Sequence, residues 1–181
     1  MSVEGVREFL RQAAPDIEVI RTRANTATVE EAARVHGVSP SQIAKTLTLE
    51  AGGRAFLLVA AGDARLDNGK AKNAFGGRTR MLPREEVEAL TGHPVGGVCP
   101  FGLPSPLDIY CDVSLQAHPL VLPAAGDIDA AIKISPARLA DITNARWVDA
   151  CHAKSGSAKG SGPTQLEGSG YERSAANVVT R

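Results

Sequence analysis

Two features of this chain have residue types that could do chemistry: Lys45, and a glycine-rich run over 95–102. Lys45 sits in the strand-like run Ala44–Glu50. Alternate residues of a strand share a face, so Ile43, Lys45, Leu47 and Leu49 lie on one side, and Ala44, Thr46, Thr48 and Glu50 on the other. The apolar side should face the core, which aims Lys45 inward. An ammonium is costly to desolvate. It must therefore reach a cleft, pair with an acid or titrate low, and all three are common at functional sites. Plainer readings stay open. Near a strand end the lysine stem can carry its charge out to water, and a one-residue slip in register would place Lys45 outside.

The second feature reads Val95-Gly96-Gly97-Val98-Cys99-Pro100-Phe101-Gly102. Adjacent glycines allow positive φ and a close backbone approach to a ligand, and Pro100 stiffens the far end. Such a loop can offer several amides to one oxygen, as an oxyanion hole requires. Gly- and Pro-rich loops are more often plain turns, so this run alone is a weak signal.

Together and in this order, Ile43-Ala44-Lys45-Thr46-Leu47 and the 95–102 run resemble the YbaK-type editing proteins, which deacylate mischarged tRNA. The resemblance covers roughly residues 2–151. The family's Gly-x-x-x-Pro signature matches Gly96 to Pro100, and its essential lysine matches Lys45. The resemblance implies a trans-editing hydrolase acting on tRNA(Pro) that carries a small amino acid such as Ala or Cys. Lys45, Gly96 and Gly97 would be its catalytic groups, with Thr46, Val98, Cys99, Pro100, Phe101 and Asp112 on the substrate. It implies mischarged tRNA as the partner, with prolyl-tRNA synthetase as a further candidate, and no cofactor or metal. The attacking group would be water or, for a cysteinyl substrate, the substrate's own thiol. A non-catalytic module that binds aminoacyl-tRNA or an amino acid would use the same lysine and loop.

Asp112 lies in Tyr110-Cys111-Asp112-Val113, where the family often has an acid that could pair with Lys45. Against this, Leu107, Ile109, Cys111 and Val113 share the apolar parity, which turns Asp112 toward solvent unless a bulge intervenes. Cys99 lies near His93 and raises the possibility of a thiol nucleophile, which would need a base and a depressed pKa. A small buried or loop-lining cysteine is the commoner case. Arg65, Lys70, Lys72, Arg78, Arg80 and Arg84 cluster with Asp67 as their single acid. In the family context Lys70, Lys72, Arg78 and Arg80 are candidates for acceptor-stem phosphates; an ordinary solvated face is the alternative.

The elements that must position these residues are short and interleaved. Helices are expected over 3–13, from the Thr28–Glu31 capping box to Gly37, over 68–75, from Pro83 to Gly92, and from Pro136 to about Ile142. Strands are expected over 17–20, 79–82, 107–113, 119–123, 131–134 and 146–150, with a hairpin of 44–50 and 54–61 around Ala51-Gly52-Gly53. This order fits an α/β fold with a mixed sheet, curled toward a barrel, and peripheral helices.

The 181 residues suit one domain, here 1–152, followed by a Gly/Ser-rich tail or addition over 153–181. With 20 basic and 20 acidic residues the formal net charge is zero, so any grip on nucleic acid must be local. Cys99, Cys111 and Cys151 show no metal-finger spacing. Glu4, Arg7 and Glu8 stand where a signal peptide would be apolar. A cytoplasmic location is the expectation.

Overall fold

A computed structural model describes residues 2–24 and 26–153; the Gly/Ser-rich segment beyond lies outside the described residues. The elements follow in the order α1 (Ser2–Ala13), β1 (Ile20–Arg21), α2 (Val29–His36), β2 (Ile43–Ala51), β3 (Arg54–Ala61), β4 (Ala64–Leu66), α3 (Asn68–Phe75), β5 (Thr79–Met81), α4 (Arg84–Thr91), β6 (Asp108–Asp112), β7 (Leu122–Pro123), β8 (Ala130–Ala131), α5 (Pro136–Ile142), β9 (Arg146–Val148) and β10 (Cys151–Ala153). Short 3-10 turns occupy Pro40–Gln42 and Val113–Ala117.

The local signals behave as their chemistry requires. The Thr28 hydroxyl accepts from the Glu31 amide at 3.2 Å, and the Glu31 carboxylate accepts from the Thr28 amide at 3.3 Å. A cap of this kind stabilises a helix by about 1 kcal/mol. Gly37, Gly76 and Gly92 end their helices in the left-handed region. Gly52 and Gly53, both at positive φ, make the two-residue turn that sets β2 against β3 from Ala51↔Arg54 to Ala44↔Ala61.

The main sheet is mixed, six-stranded and runs β5-β2-β3-β6-β9, with β7 paired to β2 off that path. β2 pairs antiparallel with β3 and β5; β6 lies parallel to β3 and to β9. No pairing joins β5 to β9 among the described residues, so strand pairing does not close the expected curled sheet into a barrel. Two three-residue strands without sequence signals, β4 and β10, pair as a separate ribbon. The expected 17–20 strand shrinks to Ile20–Arg21, paired with β8, and 107–113 ends in the second 3-10 turn.

Apolar residues fill both faces of the sheet. On one, Ala44, Val59 and Cys111 pack with Val3, Val6 and Leu10 of α1, Leu139 and Ala140 of α5, and Phe101. On the other, Leu49, Leu58 and Ala60 pack with Ala64, Ala150 and Cys151, joined by Phe75 and Tyr110. α2 rests on a smaller cluster of Ala33, Ile43 and Leu122.

Part of the glycine-rich run is architectural. Gly102 has φ of +60°, and a Cβ there would lie 2.5 Å from the backbone carbon of Gly5 in α1. Gly102→Ala therefore combines a left-handed L-residue with a backbone clash. Urea denaturation should show a loss of about 2 kcal/mol or more; an unchanged midpoint would mean that α1 does not press on this loop.

Candidate active site

Along the outer edge of β2, β7 pairs with Ile43 and Ala44 while β5 pairs with Leu49, Glu50 and Ala51. The Leu82 amide donates to Thr48 O at 3.1 Å and extends the β5 side by one step. Between these two strands the edge at Lys45–Leu47 has no partner strand among the described residues. A cavity of about 330 Å³ opens there. Its walls come from β2 (Ile43, Ala44, Lys45, Thr46, Thr48), α2 and its cap (Thr28, Val29, Ala32, His36), the β5–α4 junction (Met81, Leu82, Arg84, Val87), the glycine loop (Val95, Gly96, Val98) and the β7–β8 region (Leu122, Ala124, Ala130, Ala131), with Thr26 and Ala27 beside the cap.

Lys45 shares its sheet face with Leu47 and Leu49 and pairs with Ala60. Its ammonium neither snorkels free nor pairs with a carboxylate: Nζ donates to Gly62 O at 3.0 Å and to Ala64 O. Among the described residues it takes part in no ion pair. Burial is the main cause lowering its pKa, with Asp63 and Glu30 among the charges acting the other way. An ammonium carries three donors, so two hydrogen bonds leave one N–H for a ligand. The positive charge beside the cavity stays unpaired.

The two adjacent glycines do different jobs. Gly96 has φ of +97°, and a Cβ on it would lie 2.9 Å from Ala27 Cβ. It lines the cavity. Gly97 does not; a Cβ there would lie 2.6 Å from the Asp127 backbone. The Gly97 amide donates to Pro94 O at 2.8 Å, and Gly97 O accepts from the Gly126 amide at 3.1 Å. Gly97 therefore fastens the loop, and its N–H, expected to be a catalytic donor, is already committed. The amides of Gly96 and Val98 donate to no group among the described residues, and both residues are cavity walls.

Other expected site residues are elsewhere. Cys99, Pro100 and Phe101 are buried in the core and form no part of the cavity wall. Phe101 packs against Phe9 of α1, with ring centroids 5.8 Å apart. Asp112 is fully buried, against the expectation of a solvent-facing side chain. Asp112 lies on the sheet face opposite Cys111, and that face is covered by β10. Oδ1 accepts from the Ser114 amide at 3.0 Å, and Oδ2 from the amides of Ala150 at 2.8 Å and Cys151 at 3.0 Å. It forms no ion pair with Lys45.

The basic cluster is divided. Lys70 bonds Asp149 at 2.8 Å, and Arg80 forks onto Glu50 at 3.2 and 2.8 Å. Lys72 and Arg78 are exposed and form no ion pair among the described residues. Thr48, His36 and Arg84 are cavity walls that were not expected from the sequence. Thr48 was legible as the parity partner of Thr46, and the 28–32–36 spacing marks one face of α2.

His93 and Cys99 do meet, with Sγ 3.5 Å from Nε2. Both are sealed in the core, and neither lines the cavity. Burial pushes the Cys99 thiol up to about 12 and lowers the His93 pKa, the opposite of a thiolate–imidazolium pair. The Cys111 and Cys151 thiols are likewise pushed up to about 12. Native protein exposed to iodoacetamide near pH 8 should therefore gain no alkyl group by mass spectrometry, and denatured protein should gain three, one per free cysteine. Rapid native modification of Cys99 would reopen a thiol mechanism.

Residues 23–142 match the aminoacyl-tRNA editing domain family. The chain is 42% identical over 153 residues to YwhH of Bacillus subtilis, an uncharacterized protein, covering 83% of this chain and 98% of that one. A protein solved as a candidate trans-editing enzyme for prolyl-tRNA synthetase superposes with a TM-score of 0.78 at 34% identity, over 83% of this chain and 97% of that chain. A proline–tRNA ligase of Bacillus licheniformis is 34% identical over 91 residues, 50% of this chain but 16% of the ligase. The match spans β2, the glycine loop and every wall of the cavity, and the chain belongs to the YbaK/aminoacyl-tRNA editing domain family.

Proposed function

We propose that this protein is a trans-acting hydrolase that removes a small amino acid from mischarged tRNA, with tRNA(Pro) as its substrate. The observation that carries this reading is the union, in one cavity at an open strand edge, of two uncommitted loop amides and an unpaired ammonium. The ester carbonyl oxygen accepts from the Gly96 and Val98 amides. Water attacks the carbonyl carbon, and the negative charge that develops on oxygen is held by these donors and by the Lys45 field. The bond between the carbonyl carbon and the ribose oxygen then breaks, and the proton given up by the attacking water passes to the ribose oxygen, giving a free amino acid and a tRNA hydroxyl. The remaining Lys45 N–H orients the acceptor end, so catalysis is positioning plus electrostatics.

Small side chains fit the walls. Ala27, Ala32, Ala44, Ala124, Ala130 and Ala131 line much of the cavity, which favours Ala or Cys as the acyl group. Lys72 and Arg78, exposed and outside ion pairs, are the acceptor-stem contacts in this reading, while Lys70 and Arg80 serve the fold. Three unpaired cysteines suit a reducing, cytoplasmic setting.

The test is deacylation of Ala-, Cys- and Pro-charged tRNA(Pro) by wild type and Lys45→Met, which keeps the apolar stem. The expected result is loss of Ala or Cys with Pro spared, slowed by about 100-fold or more in the variant. Binding of charged tRNA without hydrolysis of any of them would replace the hydrolase with a binding module. Full activity in the variant would remove Lys45 from the mechanism.

A further inference from the structure

Among the described residues five large apolar side chains stand exposed: Met81, Val95, Val113, Leu120 and Trp147. Singly, such residues are ordinary on a protein surface. Met81 at 58% and Val95 at 43%, however, are both walls of the same cavity. Met81 reaches that position through the β5 ladder, where it pairs with Leu49. The next residue, Leu82, turns inward, and Pro83 opens α4 with Arg84 as its first residue. The β5–α4 junction therefore brings Met81 and Arg84 to the cavity together, and the glycine loop brings Val95. Arg84 Nε donates to Glu88 Oε1 at 3.1 Å, while its terminal nitrogens hold no partner among the described residues.

We infer that Met81, Val95 and Arg84 form a seat for the terminal nucleotide of the tRNA 3′ end. The base lies on Met81 and Val95, and the Arg84 terminal N–H groups donate to the phosphate on its 5′ side. This rests on the reading that the ester enters this cavity. The carbonyl is attached to the terminal ribose, so a carbonyl held at Gly96 and Val98 leaves its nucleoside at the cavity mouth. Every base offers an apolar face, so contact with it is sequence-tolerant. A thioether packs well against an aromatic ring, and a guanidinium suits phosphate. Two exposed apolar side chains and a cation on the walls of one cavity match a nucleotide better than they match the small acyl group, which the alanine-lined interior accommodates.

The test uses adenosine 5′-monophosphate, the terminal nucleotide without its ester. Its binding to the full chain is measured by calorimetry or NMR, alongside steady-state deacylation of charged tRNA. The variants are Met81→Thr and Arg84→Gln, with Val113→Thr as an exposed apolar control that forms no part of the cavity wall. Wild type should bind the nucleotide competitively with charged tRNA. Each site variant should weaken nucleotide binding and raise KM by about tenfold, with kcat held within about twofold, and the control should change neither. Absence of nucleotide binding by wild type, equal binding by the variants, or a fall in kcat with KM unchanged would overturn the seat. Nucleotide binding is read without turnover, so a protein that binds it at Met81 and Arg84 yet hydrolyses no charged tRNA defeats the hydrolase reading and leaves the seat standing.

Discussion

Strand β2 is nine residues long, and its inner edge is paired along almost its whole length, whereas its outer edge is shared by two short strands that do not meet. Backbone groups at an unpaired edge need partners from water, side chains or ligand. Here the gap is roofed by α2 and flanked by the glycine loop, so that the unpaired segment becomes the floor of a cavity and not an aggregation-prone edge. The short lengths of β5 and β7 leave this floor uncovered. Lengthening either would complete the ladder and close the site.

Lys45 owes its position to residues that never touch the cavity. The buried Asp112 carboxylate gathers the amides of Ala150 and Cys151 and fixes the start of β10. β10 pairs with β4 through Ala153↔Ala64 and Cys151↔Leu66. The carbonyls of Gly62 and Ala64 at the head of β4 then receive the Lys45 ammonium. The acid therefore acts on the lysine through a strand pair, and not by a direct ion pair. Losing it would leave buried amides without acceptors, at about 1–3 kcal/mol for an unsatisfied buried group. Gly97 works in the same manner on the opposite wall. It fastens the loop to Pro94 and Gly126 so that its neighbours Gly96 and Val98 keep their amides uncommitted.

The legible parts of this fold were those with strong local chemistry. The Thr28–Glu31 capping box, the glycine C-caps and the Gly52-Gly53 hairpin depend on neighbours within a few residues, and they stand where the sequence placed them. Alternation along 43–50 put Lys45 on its correct face. What alternation could not give was the partner of that face. β4 and β10 are three residues each, too short to carry a period, and they turn what looked like the solvent side of Asp112 into core. The 95–102 run was legible as a loop whose glycines permit a close backbone approach to a ligand, but not as one that packs on Asp127 and on Gly5 of α1. Which of its amides remain unbonded depends on Pro94, Asp127 and Gly126, and no spacing rule encodes those contacts. Arg84 was legible as a charge but not as a cavity wall, because its place follows from the length of β5.

In the proposed reaction the open edge of β2 and the uncommitted loop amides hold the substrate carbonyl. The most direct measurement is a backbone amide NMR titration with a hydrolysis-resistant 3′-alanylamido nucleoside, the amide analogue of the ester. The largest shifts are expected at Gly96, Val98 and Thr46, with Gly97, already bonded to Pro94, moving little. Binding that leaves Gly96 and Val98 unshifted, or that centres on the far edge of the sheet at β9, would contradict it.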